Sequence, residues 1–117
     1  METTKKFYIG PAGWSYKDWI GTVYTKKDGR DKLQIIARYF NCVEINSSFY
    51  RIPSRGIVSS WCERIEWKRE FLFTVKVWQR FTHERKISED EVHYFLRAFE
   101  PLLTKNRLGA FLIQFPW

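Results

Sequence analysis

Apolar and polar positions along this chain switch repeatedly between a period of two and a period near 3.6. Phe7 to Ala12 is a short, largely apolar run interrupted and closed by Gly10, Pro11 and Gly13, the pattern of a strand that stops in a loop. The loop carries Trp14, Ser15, Tyr16, Trp19 and Tyr24, and Asp28-Gly29-Arg30-Asp31 then offers turn chemistry and helix caps. Leu33, Ile36, Ala37 and Phe40 recur at i, i+3, i+4 and i+7, which predicts a helix. Cys42 to Phe49 alternates, with Val43 and Ile45 on one side and Glu44 and Asn46 on the other, which predicts a second strand.

Pro53 breaks that pattern, and Ser54 is placed to cap a helix whose stripe is Ile57, Val58, Trp61, Cys62 and Ile65. A third strand starts at Phe71, with Phe71, Phe73, Val75 and Val77 on one face and Leu72, Thr74, Lys76 and Trp78 on the other. Ser88-Glu89-Asp90-Glu91 has the form of a capping box, and its acidic residues suit the positive end of a helix dipole. Val92, Phe95, Leu96 and Phe99 form the stripe of that helix. Pro101 lacks an N–H and obstructs the turn before it, so the helix should end or kink near Phe99. Leu108 to Phe115 reads as the fourth strand.

The order is β-α-β-α-β-α-β, which argues for an α/β fold with a parallel sheet and right-handed crossovers. Neither an internal repeat nor a linker interrupts it, so residues 1–117 are expected to be one domain. With 44% hydrophobic and 19% aromatic residues the chain has the means to build a core, which excludes a disordered class. Twenty Lys and Arg against thirteen Asp and Glu leave +7, a balance that favours anionic partners and solubility alike. Two cysteines, Cys42 and Cys62, lack C-x-x-C spacing, so neither a disulfide framework nor a structural zinc site is expected. The N-terminus lacks a signal-peptide pattern, and no window has the length and apolarity of a membrane span; the expected compartment is the cytoplasm, with no membrane partner.

Four segments, each straddling the end of a strand, carry a more specific signal. They are Gly10-Pro11-Ala12-Gly13-Trp14-Ser15-Tyr16-Lys17-Asp18-Trp19; Val43-Glu44-Ile45-Asn46-Ser47-Ser48-Phe49-Tyr50-Arg51-Ile52-Pro53; Phe73-Thr74-Val75-Lys76 with Thr82-His83; and Leu108-Gly109 through Gln114-Phe115-Pro116. Together they resemble the YecE-like family over nearly the whole chain. The resemblance implies a TIM (β/α)8 barrel, of which these four β/α units are the first half. A barrel of that class takes roughly 250 residues, so the resemblance is to the N-terminal part only. Later family segments, an Arg-His-Gly-like stretch and an Asn-rich strand end, have no counterpart here.

In such a barrel, alternate residues of each strand point inward and ligands bind at the C-terminal ends of the strands. With the more apolar faces turned to the helices, the inward residues near the strand ends are Gly10 and Ala12, Glu44 and Asn46, Lys76, and Gln114. Glu44 and Lys76 are the candidate acid/base or anion-binding pair, because opposite charges by a dry wall tune each other's protonation; the alternative is an ion pair that fills the barrel. His83 is the candidate proton carrier, with a solvent-facing cap as its alternative. Asn46 and Gln114 would orient a substrate through amide hydrogen bonds, or would belong to an internal network. Trp14, Ser15, Tyr16, Phe49 and Tyr50 would line the pocket, the aromatic rings stacking on a planar ligand or simply capping the barrel mouth.

No clustered ligands suggest a metal, and no cofactor motif is present: Gly10-Pro11-Ala12-Gly13 lacks the Lys-Ser/Thr ending of a phosphate loop, and Ser15, Ser47 and Ser48 lack a triad or a nucleophile elbow. Two functional classes are compatible with these features. The first is a barrel enzyme, or part of one, that binds a small polar or anionic substrate. The second is a nucleic-acid-binding module using its basic residues and loop aromatics, against which stands the scatter of those residues along the chain. Four parallel strands cannot close a barrel, so self-association through open sheet edges is also expected.

Overall fold

The computed structural model describes residues 6–24 and 31–117, and the turn expected at residues 28–30 lies outside them. Three parallel strands, β1 (Cys42–Ile45), β2 (Leu72–Lys76) and β3 (Leu108–Leu112), lie side by side in sequence order. The crossovers are α2 (Arg55–Arg64) between β1 and β2, and α3 (Gln79–Thr82), α4 (Glu89–Ala98) and α5 (Glu100–Thr104) between β2 and β3; α1 (Lys32–Tyr39) precedes β1. Alternation in β1 and β2 decides which face the helices cover. Val43, Ile45, Phe73 and Val75 are fully buried in one cluster with Leu33, Ile36, Val58, Trp61, Ile65 and Phe95. Each of the four strand side chains contributes about 1.5–3 kcal/mol by leaving water.

The first expected strand, Phe7 to Ala12, is not a full strand. Its residues run beside β1 in the parallel sense but make a single bridge, Ala12 with Glu44: the Glu44 N–H donates to the Pro11 carbonyl at 2.9 Å and the Gly13 N–H to the Glu44 carbonyl at 2.8 Å. The next bridge down would pair Gly10 with Cys42 and needs an N–H at residue 11, which proline lacks. Asn41 supplies what the ladder loses. Its side-chain carbonyl accepts from the Ile9 N–H at 2.7 Å, and its amide donates to the Phe7 carbonyl at 2.6 Å. Gly10 is required here, because a Cβ on it would sit 1.6 Å from the Cys42 carbonyl oxygen.

Three other expected boundaries move. The second strand ends at Ile45 rather than Phe49, since Asn46 adopts helical backbone angles and Ser47–Phe49 closes a 3-10 turn. The third ends at Lys76, before Val77 and Trp78, where Trp78 is the N-cap of α3. The fourth ends at Leu112 rather than Phe115, and it carries a register shift: Phe73 pairs with Leu108, but Thr74 pairs with Ala110. The extra residue is Gly109, and its insertion lets both Leu108 and Phe111 pack toward the helices despite their odd spacing. Phe111 meets Phe95 and Phe99 there, at ring-centroid distances of 5.9 and 6.4 Å.

The helix ends reflect local chemistry. Ser54 accepts from the Ile57 N–H, and Ser88 accepts from the Glu91 N–H while its hydroxyl donates to the Glu91 carboxylate. Pro101 divides α4 from α5 at Phe99, as its missing N–H requires. At the far end of α5, Asn106 takes φ +57°, with the Arg107 N–H on the Leu102 carbonyl and the Asn106 N–H on the Leu103 carbonyl; asparagine there does the work more often given to glycine.

Asp31 has two tasks. It caps α1 by accepting from the Leu33 N–H at 2.9 Å, and both its oxygens take the Arg64 guanidinium at the end of α2. Burial pushes its carboxyl up, but the Arg64 hydrogen bond and charge, with the backbone N–H groups of Leu33 and Gln34, outweigh that and hold it below the usual carboxylate range. The stabilisation is therefore present above the unfolded value near 3.9 and lost as pH falls through the lower folded value.

Two outcomes are expected. Gly10→Ala should cost about 1–3 kcal/mol, because the backbone of residues 9–11 must move off β1, and should open the Ile9 and Gly13 amides to hydrogen exchange. Asp31→Ala should cost about 1–2 kcal/mol, against about half that for Asp31→Asn, which keeps a capping oxygen and loses only the ion pair. Below about pH 4 the melting temperature of the unaltered chain should fall more steeply than that of Asp31→Asn.

Candidate functional site

The same alternation that buries Val43, Ile45, Phe73 and Val75 turns Glu44, Thr74 and Lys76 to the other face, all three half-buried. Glu44 is level with Thr74, so Lys76 lies two residues further on the neighbouring strand. Lys76 turns away from an ion pair with Glu44. Its ammonium lies over the Phe49 ring, 4.5 Å from the centroid, a cation–π arrangement. The same ring meets His83 edge to face at 4.8 Å and Tyr50 at 5.0 Å. Four of the expected site residues, Lys76, His83, Phe49 and Tyr50, thus gather at the C-terminal edge of β1 and β2.

Backbone geometry explains the gathering. Because β1 stops at Ile45, the 3-10 turn folds Phe49 back over the end of β2. Ser48, fully buried, fixes that turn: its hydroxyl has one proton to share between the Lys76 carbonyl at 2.5 Å and the Ile45 carbonyl at 3.0 Å. Thr82, also buried, has its hydroxyl 2.9 Å from Nδ1 of His83, and so influences which ring nitrogen carries the proton. Sequence reasoning places Ser48 and Thr82 in the right segments without giving them these roles; serine and threonine at strand ends carry no periodic signal that marks them as buried.

The other expected residues are elsewhere. Trp14 does not join the cluster but packs on the core, edge to face with Trp61 at 5.4 Å and Phe73 at 6.4 Å. Tyr16 closes its own loop, its hydroxyl donating to the Ala12 carbonyl and its ring lying 4.7 Å from Trp19; Ser15 beside it is exposed. Asn46 is half-buried at the start of the 3-10 turn, where its strand parity no longer applies. Gln114 lies beyond β3 and is exposed rather than aligned with Glu44 and Lys76. Arg80, near the cluster, is already held by the Glu91 carboxylate and lies over Trp78 at 5.9 Å.

In this cluster Tyr50 and His83 are exposed, Lys76 is half-buried and Phe49 is buried. Two grooves, of about 500 and 360 Å³, lie elsewhere: one between α2 and α5, lined by Arg55, Cys62, Glu66 and Arg107, the other between α4, α5 and β3. Cys62, on the first groove, and Cys42, in β1, are free thiols; burial pushes both up, against the pull of Arg107 and Lys105 on Cys62, and so favours the protonated, unreactive form. Among the described residues no helix is long and apolar enough to cross a membrane, and no group of three or more His, Cys, Asp or Glu converges as metal ligands would.

Parallel β/α units in sequence order, with polar side chains collected at the C-terminal ends of the strands, define the first half of a (β/α)8 barrel. Residues 8–117 match the family described as "Protein of unknown function DUF72", and the chain belongs to that family. It is 32% identical over 111 residues to UPF0759 protein YecE of Escherichia coli K12 and 34% identical over 116 residues to UPF0759 protein YunF of Bacillus subtilis 168. Each alignment covers 93% of this chain but only 37% and 39% of the relative, so the chain spans under two fifths of their length. Two crystal structures of a DUF72 family protein from Enterococcus faecalis V583 share the fold. One superposes with a TM-score of 0.72 at 27% identity over 93% of this chain and 39% of that one; the other gives 0.62 at 29% identity over 71% and 35%.

Ser48→Ala should remove the donor that joins the β1 turn to the end of β2 and leave the part-buried Lys76 carbonyl without it. A loss of about 1–3 kcal/mol is expected, read by chemical denaturation, together with faster exchange of the Phe49 and Tyr50 amides than of those in α4.

Proposed function

We propose that the C-terminal edge of this sheet is one wall of a binding site for a small polar, anionic ligand. Lys76 is the group that meets the anion, Phe49 and Tyr50 flank it, and His83 is placed to give or take a proton. Glu44, lower on the same face, is the carboxylate that would accept a hydrogen bond from the ligand's hydroxyl or amine groups. The observation that carries the reading is the position of the Lys76 ammonium, 4.5 Å over the Phe49 ring. A ring face holds a cation by its quadrupole at a cost in hydration but leaves its charge uncompensated, so an incoming carboxylate or phosphate still gains from it. Barrel enzymes place their binding groups at this edge, which supports the same reading.

The test is thermal shift with inorganic phosphate, citrate and simple sugar phosphates on the 117-residue chain and on Lys76→Met, which keeps most of the side-chain stem and removes the charge. One or more of these anions should raise the melting temperature of the unaltered chain, and Lys76→Met should lose the effect while melting at a similar temperature alone. Equal shifts for both proteins would remove Lys76 from the site. Tight binding of generic oligonucleotides that weakens steeply with salt, with no response to small anions, would point instead to a nucleic-acid-binding surface.

A further inference from the structure

We propose that Thr82 fixes His83 in the tautomer that carries its proton on Nε2, so that the histidine meets a ligand as a hydrogen-bond donor and not as a base. The inference rests on the anion-site reading above and selects one of the two roles that reading leaves open to His83.

Thr82 is the last residue of α3 and His83 its C-cap, just beyond the end of β2. The His83 ring is held on two sides. It lies edge to face with Phe49, the centroids 4.8 Å apart, and its Nδ1 is 2.9 Å from the Thr82 hydroxyl. The backbone is fixed as well, since the His83 N–H donates to the Gln79 carbonyl at 2.7 Å. Thr82 is 1% exposed and His83 is exposed, so Nδ1 is turned into the fold and Nε2 is the ring nitrogen left to the open side.

A threonine hydroxyl can donate to a bare Nδ1 or accept from Nδ1–H. Burial decides between these. Among the described residues the His83 ring is the one hydrogen-bond partner of the Thr82 hydroxyl. Accepting from Nδ1–H would leave the hydroxyl proton buried without an acceptor, whereas donating to a bare Nδ1 satisfies both groups. Turning the ring over puts a C–H against the hydroxyl and orphans the same proton. The neutral ring therefore carries its proton on Nε2.

To take a proton from a ligand, His83 would need a bare nitrogen on its exposed side, and its bare nitrogen is occupied by Thr82. The Nε2–H gives a hydrogen bond instead, while the Lys76 ammonium over the same Phe49 ring gives charge. Both groups are then donors. They suit a ligand group with several acceptor oxygens, a phosphate or a carboxylate, better than a hydroxyl or amine that must itself donate.

The test is 15N NMR of the imidazole nitrogens in the 117-residue chain, read at the alkaline limit of the titration, with His93→Gln to assign the two histidines. His83 should show a single tautomer with Nε2 protonated and Nδ1 bare. Thr82→Val keeps the shape and drops the hydroxyl; it should move the tautomer ratio on the order of tenfold toward that of an unconstrained histidine, and Thr82→Ser should restore it. An Nδ1–H tautomer in the unaltered chain overturns the proposal, whether or not the variants fold. So does a ratio that Thr82→Val leaves unchanged. These readouts need no ligand and so stand apart from the anion reading. Addition of phosphate or citrate then tests the donor role: the Nε2 resonance and its proton should shift while Nδ1 stays in place. A Lys76-dependent thermal response to these anions that leaves Nε2 unmoved rejects the donor role and keeps the anion site. No response to either anion, with the tautomer as stated, overturns the anion reading and the donor role together while the Thr82 hydrogen bond stands.

Discussion

The sealed strip formed by Val43, Ile45, Phe73 and Val75 is the constraint on which the rest of the structure depends. Those four side chains leave water completely only if α1, α2 and α4 lie over one face of the sheet. Once that face is chosen, the pleat leaves no freedom to Glu44, Thr74 and Lys76, which must take the other. A slip of one residue in either strand would put a charge under the helices and an aliphatic side chain in the open, at a cost of several kcal/mol. The candidate site is in this sense a consequence of hydrophobic burial on the far side of the sheet.

Ser48 and Pro11 show how two small deviations from regular strand structure shape what lies around that strip. Ending β1 at Ile45 and turning through Ser47–Phe49 brings an aromatic ring beneath Lys76, and the buried Ser48 hydroxyl holds the turn to the end of β2. Pro11 removes one donor from the margin beside β1, and Asn41 replaces the lost ladder with side-chain hydrogen bonds. Gly10 permits the close approach that makes this possible. Residues 7–13 are therefore attached at a few points rather than along a continuous ladder, a firm register with an irregular margin.

Much of the fold was legible in the periodicities. The helical stripes at Leu33 to Phe40, Ile57 to Ile65 and Val92 to Phe99, the caps at Asp31, Ser54 and Ser88, and the interruption at Pro101 all correspond to observed elements, because each rests on local chemistry repeated over several residues. The strands were read too long for one reason. Apolar alternation continued past the backbone's own stopping points at Asn46 and Ile113, and periodicity does not register where hydrogen-bond partners run out. The bulge at Gly109 escaped for a related reason, since one inserted residue reverses the parity of Leu108 relative to Ala110, Phe111 and Leu112.

The site was legible in part. Glu44 and Lys76 share a face because strand parity alone requires it, whereas Trp14 and Tyr16 sit in a loop, where no period says which way a ring points. The sequence by itself determined the order of β/α units, the helix-facing strip and the polar character of the opposite face, since these depend on residue type and spacing within single elements. Tertiary structure alone decided that Lys76 lies over Phe49 rather than against Glu44, that Trp14 belongs to the core with Trp61, and that Gln114 falls beyond the sheet. Those are relations between segments distant in the chain, set by loop closure, register and the competition among several neighbours for the same space.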